Sequence, residues 1–198
     1  RFDRSYVGNS ICAPARATLL TGKHSHLNGK YDNRGPFNHD QQQFQKILQK
    51  NGYQTVMVGK IHLAGQMQGF DYWEALPGQG KYYDPDFVTE EGTKSYKGYT
   101  TDIITDKALD WLENKRDDSK PFMLMIHHKA PHRNWQPAER HMSKYEDIEI
   151  PEPDSLFDDY ATRTTAAREQ DMSIVKTMRM DTDLKVSDGS GRINFNLD

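Results

Sequence analysis

Residues 41–62 read Gln41-Gln42-Gln43-Phe44-Gln45-Lys46-Ile47-Leu48-Gln49-Lys50-Asn51-Gly52-Tyr53-Gln54-Thr55-Val56-Met57-Val58-Gly59-Lys60-Ile61-His62, and the hydrophobic period changes partway along. Phe44, Ile47 and Leu48 recur at helical spacing, which predicts a helix over Gln41–Asn51 with one apolar face. Gly52 ends it, because glycine adopts the left-handed conformation after a last turn without steric cost. Tyr53–Val58 is β-branched and apolar without alternation, the pattern of a strand covered on both faces. Lys60 and His62 follow where that strand runs out. In open α/β sheets ligands sit beyond the carboxyl ends of strands, so this polar turn is a candidate site edge. Taken alone, a lysine and a histidine two residues apart are more often a solvated loop.

A second unit repeats the order. Thr101–Lys115 places Ile104, Ala108, Trp111 and Leu112 on one helical face, and five apolar residues, Phe122–Ile126, then precede His127-His128-Lys129-Ala130-Pro131-His132. Two helix–strand units imply parallel strands joined by right-handed crossovers. The expected fold is therefore α/β, a mostly parallel sheet flanked by helices.

Cys12 is the only cysteine, so it forms no internal disulfide and its value lies in packing or in chemistry. It opens Cys12-Ala13-Pro14-Ala15-Arg16-Ala17-Thr18-Leu19-Leu20-Thr21-Gly22. Pro14 suits the first residue of a helix, which runs through Thr21 with Gly22 just past its end. Cys12 then lies immediately before a helix N-terminus, where free N–H groups and the dipole favour negative charge. Arg16, one turn in, adds a flat fork of donors suited to an oxyanion. The side chain at position 12 is a small buried apolar group, a thiolate of lowered pKa, or a precursor of something else.

The third reading comes from likeness. The Cys12–Gly22 segment resembles the signature of the type I, formylglycine-dependent sulfatases of the alkaline phosphatase superfamily, and Gly52–His62 resembles their second signature. The resemblance implies that a formylglycine-generating or radical maturation enzyme oxidises Cys12 to formylglycine, whose hydrate is the nucleophile. It implies that Arg16 and Lys60 hold that hydrate and the sulfuryl oxygens. It places His132 at the bridging oxygen and has His62 take a proton from the second hydroxyl to expel sulfate. It also implies Ca2+, with position 12 as one ligand. The other family ligands, an Asp-Asp pair on an earlier strand and an Asp-Asn or Asp-His pair on a later one, have no counterpart. Asp117-Asp118 and Asp158-Asp159 read as solvated turns, and a hard dication needs several oxygens. The chain is accordingly expected to be an N-terminal fragment of a sulfatase: a partial catalytic domain over 1–176, with 177–198 unassigned. Taken as the whole molecule, it is expected not to turn over substrate.

Pro137, Trp135 and the Gly69–Trp73 loop are most similar to N-acetylglucosamine-6-sulfatase-like members, which act on glycosaminoglycans such as heparan sulfate. Lys60, His132 and Trp135 are then the candidates for binding a sulfated saccharide. Three alternatives remain: an arylsulfatase-like or choline-sulfatase-like specificity, a phosphate or phosphonate monoester hydrolase of the same superfamily, or a sulfated-glycan-binding relic without catalysis.

The other features are weaker. A net charge of −3 argues against nucleic acid as the main partner, and no run approaches the ~18 apolar residues of a membrane span. His24 and His26 read as loop residues, and His127 and His128 as packed or hydrogen-bonded structural histidines. Residues 69–87 form an aromatic, Gly- and Pro-rich loop region in which Trp73, Tyr82 and Tyr83 either stack on sugar rings or pack the loop. Thr164–Met178 suggests a helix of mixed charge, and Ser187–Gly191 a turn or linker. No Asn-x-Ser/Thr sequon occurs and no internal disulfide forms, which favours a bacterial periplasmic or secreted enzyme over a lysosomal one.

Overall fold

Strand β1, Gln54–Lys60, pairs in parallel with β2, Tyr72–Leu76, on one side and with β5, Phe122–His127, on the other. A hairpin of β3, Asp86–Thr89, and β4, Gly92–Ser95, adds two antiparallel pairings, giving the order β4-β3-β2-β1-β5. The sheet is mixed, with its parallel part at the two predicted helix–strand units. These relations come from a computed structural model that describes residues 1–172, 177–179, 181–183 and 185. The chain divides into two compact units, Arg1–Pro131 and His132–Asp198.

The unbroken apolar run in β1 has a direct cause. Met57 points into one cluster with Ala13, Ala17, Leu20, Phe37 and Ile61, while Val56 and Val58 point into another with Leu76, Phe87, Ile104 and Trp111. A strand buried on both faces needs no polar alternation. Helix α1, Cys12–Thr21, supplies the first cluster through Ala13, Ala17 and Leu20, and Gly22 takes the expected left-handed conformation at φ +67°. A single turn, α2, Ser25–Asn28, follows. Helix α4, Thr100–Asp110, continued by a π turn over Trp111–Lys115, buries Ile104, Ala108 and Trp111 as its spacing predicts.

Several expectations change. Helix α1 begins at Cys12, so Pro14 is its third residue and Cys12 lies within the first turn. Helix α3 spans only Phe44–Lys50; Phe44 and Ile47 are exposed while Gln43 and Gln45 are fully buried. Gln43 Nε2 donates to the His39 carbonyl at 2.7 Å and Gln45 Nε2 to Gln43 Oε1 at 2.8 Å, so the amide N–H groups find acceptors inside, while Gln45 Oε1 is left without a hydrogen-bond partner among the described residues. Strand β5 is only half-covered, with Phe122 and Ile126 exposed, because among the described residues it pairs on one side alone. The supposed loop of 69–87 contains β2. Its Glu74 obscured the strand pattern, and burial pushes that carboxyl up. Hydrogen bonds from Lys107, Tyr72 and Tyr96 outweigh burial and hold it below its ordinary value, with Lys107 Nζ at 2.7 Å.

In the second unit, a 3-10 turn spans Glu139–His141 and α5 spans Thr165–Glu169, within the expected 164–178 helix, of which residues 173–176 lie outside the described residues. Arg133 pairs there with Asp183, Nε to Oδ1 at 3.0 Å. The expected turn at Ser187–Gly191 lies outside the described residues. Among the described residues, no helix is long and apolar enough to cross a membrane.

Candidate active site

Helix α1 has no side-chain cap from its own N-cap residue, Ile11. Asn33 replaces it from a distant loop. Its Oδ1 accepts from the Ala13 N–H at 3.0 Å and from the Cys12 thiol at 3.3 Å. The loop carrying Asn33 is pinned by Lys30, a buried lysine whose Nζ donates to the carbonyls of Arg34 at 2.8 Å and Gly35 at 2.6 Å. Cys12 itself is partly exposed, not a fully buried packing residue.

Past the end of β1, His62 holds φ +50°, a conformation rarely adopted by a residue with a side chain. It stands with Nδ1 3.2 Å from Cys12 Sγ. Arg16 faces the end of β1 from α1. Its Nη1 carries two protons and donates one to the Lys60 carbonyl and one to His127 Nδ1 at 3.1 Å. His127 Nδ1 is therefore an acceptor, and its 3.1 Å approach to the Lys60 carbonyl closes a triangle around that nitrogen. Burial, then the charge of Arg16, lowers His127 to about 4, outweighing the opposing pull of the Lys60 carbonyl. His127 is thus a hydrogen-bonded, neutral histidine, as a structural role requires, but the group it orients is Arg16.

Lys60 is the last residue of β1 and is 2% exposed. Its ammonium donates to Gln79 Oε1. Burial is the main cause lowering Lys60 to about 8; the sulfur of Cys12 opposes the shift, while Arg16 and Lys129 reinforce it. Burial also lowers Arg16, again opposed by Cys12, yet a guanidinium stays charged throughout the working pH range. A cavity of ≈ 340 Å³ is lined by Cys12, Arg16, Leu19, Ile61, Met125 and His127. A second, of ≈ 490 Å³, is lined in part by Lys30, Asn33, His62, Met67 and Trp73.

The first unit therefore brings together Cys12, Arg16, Lys60 and His62. His132 and Trp135 fall in the second unit, where His132 Nδ1 donates to the Arg133 carbonyl and Trp135 is 38% exposed. Of the aromatics, Tyr82 is buried and packs, whereas Trp73 lines a cavity. His24 and His26 stack on each other at 6.0 Å. Asp117 is held by Ser119 in an exposed turn and Asp158 by Arg163, as solvated acids would be. Asn33 and Gln79 were not legible as site residues; each lies in a turn-forming stretch, and turn composition says nothing about what the side chain meets.

Among the described residues, no group of three or more His, Cys, Asp or Glu side chains is arranged to hold a metal ion. The groups at position 12 are an amide oxygen, an imidazole and nearby cations. A hard dication prefers several oxygens, so these residues by themselves do not fit a calcium ion. They do fit a hydroxyl-bearing side chain at position 12, offering an acceptor on one side and a ring nitrogen on the other.

The sulfatase family model matches residues 1–180. An N-acetylglucosamine-6-O-sulfatase of Bacteroides thetaiotaomicron is 56% identical over 189 residues, covering 94% of this chain and 34% of that protein. The human N-acetylglucosamine-6-sulfatase is 30% identical over 175 residues, covering 76% of this chain and 32% of that protein. A solved structure in complex with its substrate D-glucosamine-2-N,6-O-disulfate superposes with a TM-score of 0.87 at 56% identity, over 93% of this chain and 38% of that one. A structure holding a neocarrahexaose, at 23% identity and TM-score 0.64, shares the fold. The chain spans about a third of the length of the curated relatives it matches. With its two signatures converging on Cys12 and the family model spanning most of its length, the chain belongs to the sulfatase family.

Proposed function

We propose that the protein hydrolyses sulfate esters on glucosamine or N-acetylglucosamine units of glycosaminoglycan-type saccharides, with the side chain at position 12 as nucleophile. The observation that carries this reading is the convergence of Arg16 from the first helix and of Lys60 and His62 from the end of β1 on one side chain at a helix N-terminus. Such an arrangement is built for negative charge that develops on an ester oxyanion. Oxidation of Cys12 to formylglycine by a maturation enzyme would supply a geminal diol there, one hydroxyl to attack and a second to drive release. Arg16 and Lys60 offset charge on the sulfuryl oxygens. His62 is the ring proposed to exchange a proton with the nucleophile, its Nδ1 being the nitrogen nearest position 12. His132 is proposed to meet the bridging oxygen and Trp135 the saccharide. Calcium is proposed with most of its ligands outside these 198 residues. The names of the relatives support glucosamine 6-sulfate as the substrate, and a periplasmic or secreted location fits such saccharides.

The test compares initial rates on glucosamine 6-sulfate and glucosamine 6-phosphate, with mass analysis of the peptide spanning Cys12 from a host that carries a maturation system. Release of sulfate well ahead of phosphate is expected, together with an aldehyde at position 12. Faster phosphate release, or an unmodified thiol in an active preparation, overturns the reading.

Lys60 sets the alkaline limit. Its cation is present below about 8 and is lost as pH rises through that value. Because kcat/KM reports groups in the free enzyme, log(kcat/KM) is expected to fall with unit slope above pH of about 8. Lys60→Arg should move that limb upward, even where the rate itself drops. The sign for folding is opposite. The lowered value disfavours the charged form in the fold, so this group costs stability below pH 8 and the cost is relieved between 8 and the ordinary lysine value.

A further inference from the structure

Lys60 is a buried ammonium, and burying a charge without a partner is expensive. Its partner here is an amide: Gln79 Oε1 accepts from Lys60 Nζ, while Gln79 Nε2 stands 3.5 Å from His62 Nε2. An ammonium only donates, so the amide oxygen has to face Lys60 and the NH2 has to face His62. The backbone at Gln79 is tied down as well. The Gly80 N–H donates to the Pro77 carbonyl at 2.9 Å, closing a turn in which Gly78 holds φ +54°. The Gln79 carbonyl accepts from Lys129 Nζ at 3.4 Å. The turn thus presents one side chain between the two candidate site residues contributed by β1 and its continuation.

We propose that Gln79 is a positioning residue for the anion site, acting through Lys60 and His62. One of the three N–H groups of Lys60 is spent on Gln79 Oε1, which aims the other two at an incoming oxyanion. A neutral acceptor is the suitable choice. A carboxylate at this position would hold Lys60 equally well but cancel its charge and repel the sulfuryl group. An aliphatic side chain would leave a buried ammonium without that acceptor. The assignment rests on the anion-site reading given above and adds a residue to it.

The experiment measures the dissociation constant of inorganic sulfate by calorimetry on the parent protein, Gln79→Leu and Gln79→Glu, with melting temperature and circular dichroism as checks of folding. Gln79→Leu is expected to bind sulfate about tenfold more weakly, the scale of one hydrogen bond to a charged group. Gln79→Glu, nearly isosteric, should weaken sulfate further while melting close to the parent. In turnover, both should raise KM more than they lower kcat. Affinity within twofold of the parent in both variants overturns the proposal, as does a parent protein that binds no sulfate. A parent that binds sulfate in the expected pattern but releases none from any ester removes the hydrolase reading and leaves the role of Gln79 standing. Ester hydrolysis with parental sulfate affinity in both variants removes the role of Gln79 alone.

Discussion

Replacing Cys12 by alanine is expected to abolish sulfate release, with a loss of about 10⁴-fold or more in kcat, the order seen when a nucleophile is deleted. The methyl group offers neither a precursor for oxidation nor an attacking atom. The flanking groups are not predicted to collapse. Asn33 Oδ1 still caps the Ala13 N–H, and Arg16 still meets Lys60 and His127. Melting temperature should therefore stay within a few degrees of the parent, and inorganic sulfate should still bind, since its cationic partners remain. Cys12→Ser separates nucleophile from release. Its hydroxyl occupies the same place between Asn33 and His62 but has no geminal partner, so one sulfuryl transfer without turnover is expected. A single SO3 added to the peptide spanning position 12, read by mass spectrometry, is the signature. Multiple turnovers by the alanine variant would place the nucleophile elsewhere.

Gly59→Ala is the largest structural effect expected. Gly59 lies in β1 at φ +110°, opposite His127 in β5. A Cβ there would stand 2.0 Å from the His127 carbonyl oxygen, 2.8 Å from its carbon and 3.2 Å from Ile104 Cδ1. Backbone atoms in a paired strand have nowhere to go, and the φ itself is hostile to a side chain. The two strands have to part or shift, at a cost of about 3–5 kcal/mol in unfolding free energy, the upper range for single substitutions. The consequence reaches the site, because His127 is the acceptor that holds Arg16 and because Lys60 directly follows Gly59. A urea titration should show a lower midpoint, and sulfate affinity should fall even where the protein remains folded. An unchanged midpoint would mean that β1 and β5 do not pair in this register.

Much of the fold could be read in advance for a local reason. Helical spacing in Thr101–Lys115, the glycine stop at Gly52 and the apolar run at Thr55–Val58 each depend on residues a few positions apart. Such patterns survive into the structure because both sides of β1 are buried. The misreadings occurred where long-range partners override local pattern. Phe44 and Ile47 look like a core face, yet the buried residues of that segment are Gln43 and Gln45, whose amide N–H groups find acceptors inside. Tyr72–Leu76 was hidden as a strand because Glu74 reads as a surface residue until Lys107 and Tyr96 from elsewhere, with Tyr72 of its own strand, satisfy it.

The same division holds at the site. The sequence by itself determined that a helix follows Cys12 closely with Arg16 in it, and that a lysine and a histidine leave the end of a buried strand. Those are properties of short segments, set by backbone preference and hydrophobic period. Only the tertiary structure decided that Arg16 meets His127 across 111 residues, that His62 reaches Cys12 across 50, and that Lys60 finds its acceptor in Gln79, nineteen residues on. Those pairings follow from strand register and from loops folded back over the strand ends. A hydrogen bond depends on distance and direction in space, and neither is written in the spacing of residues along the chain.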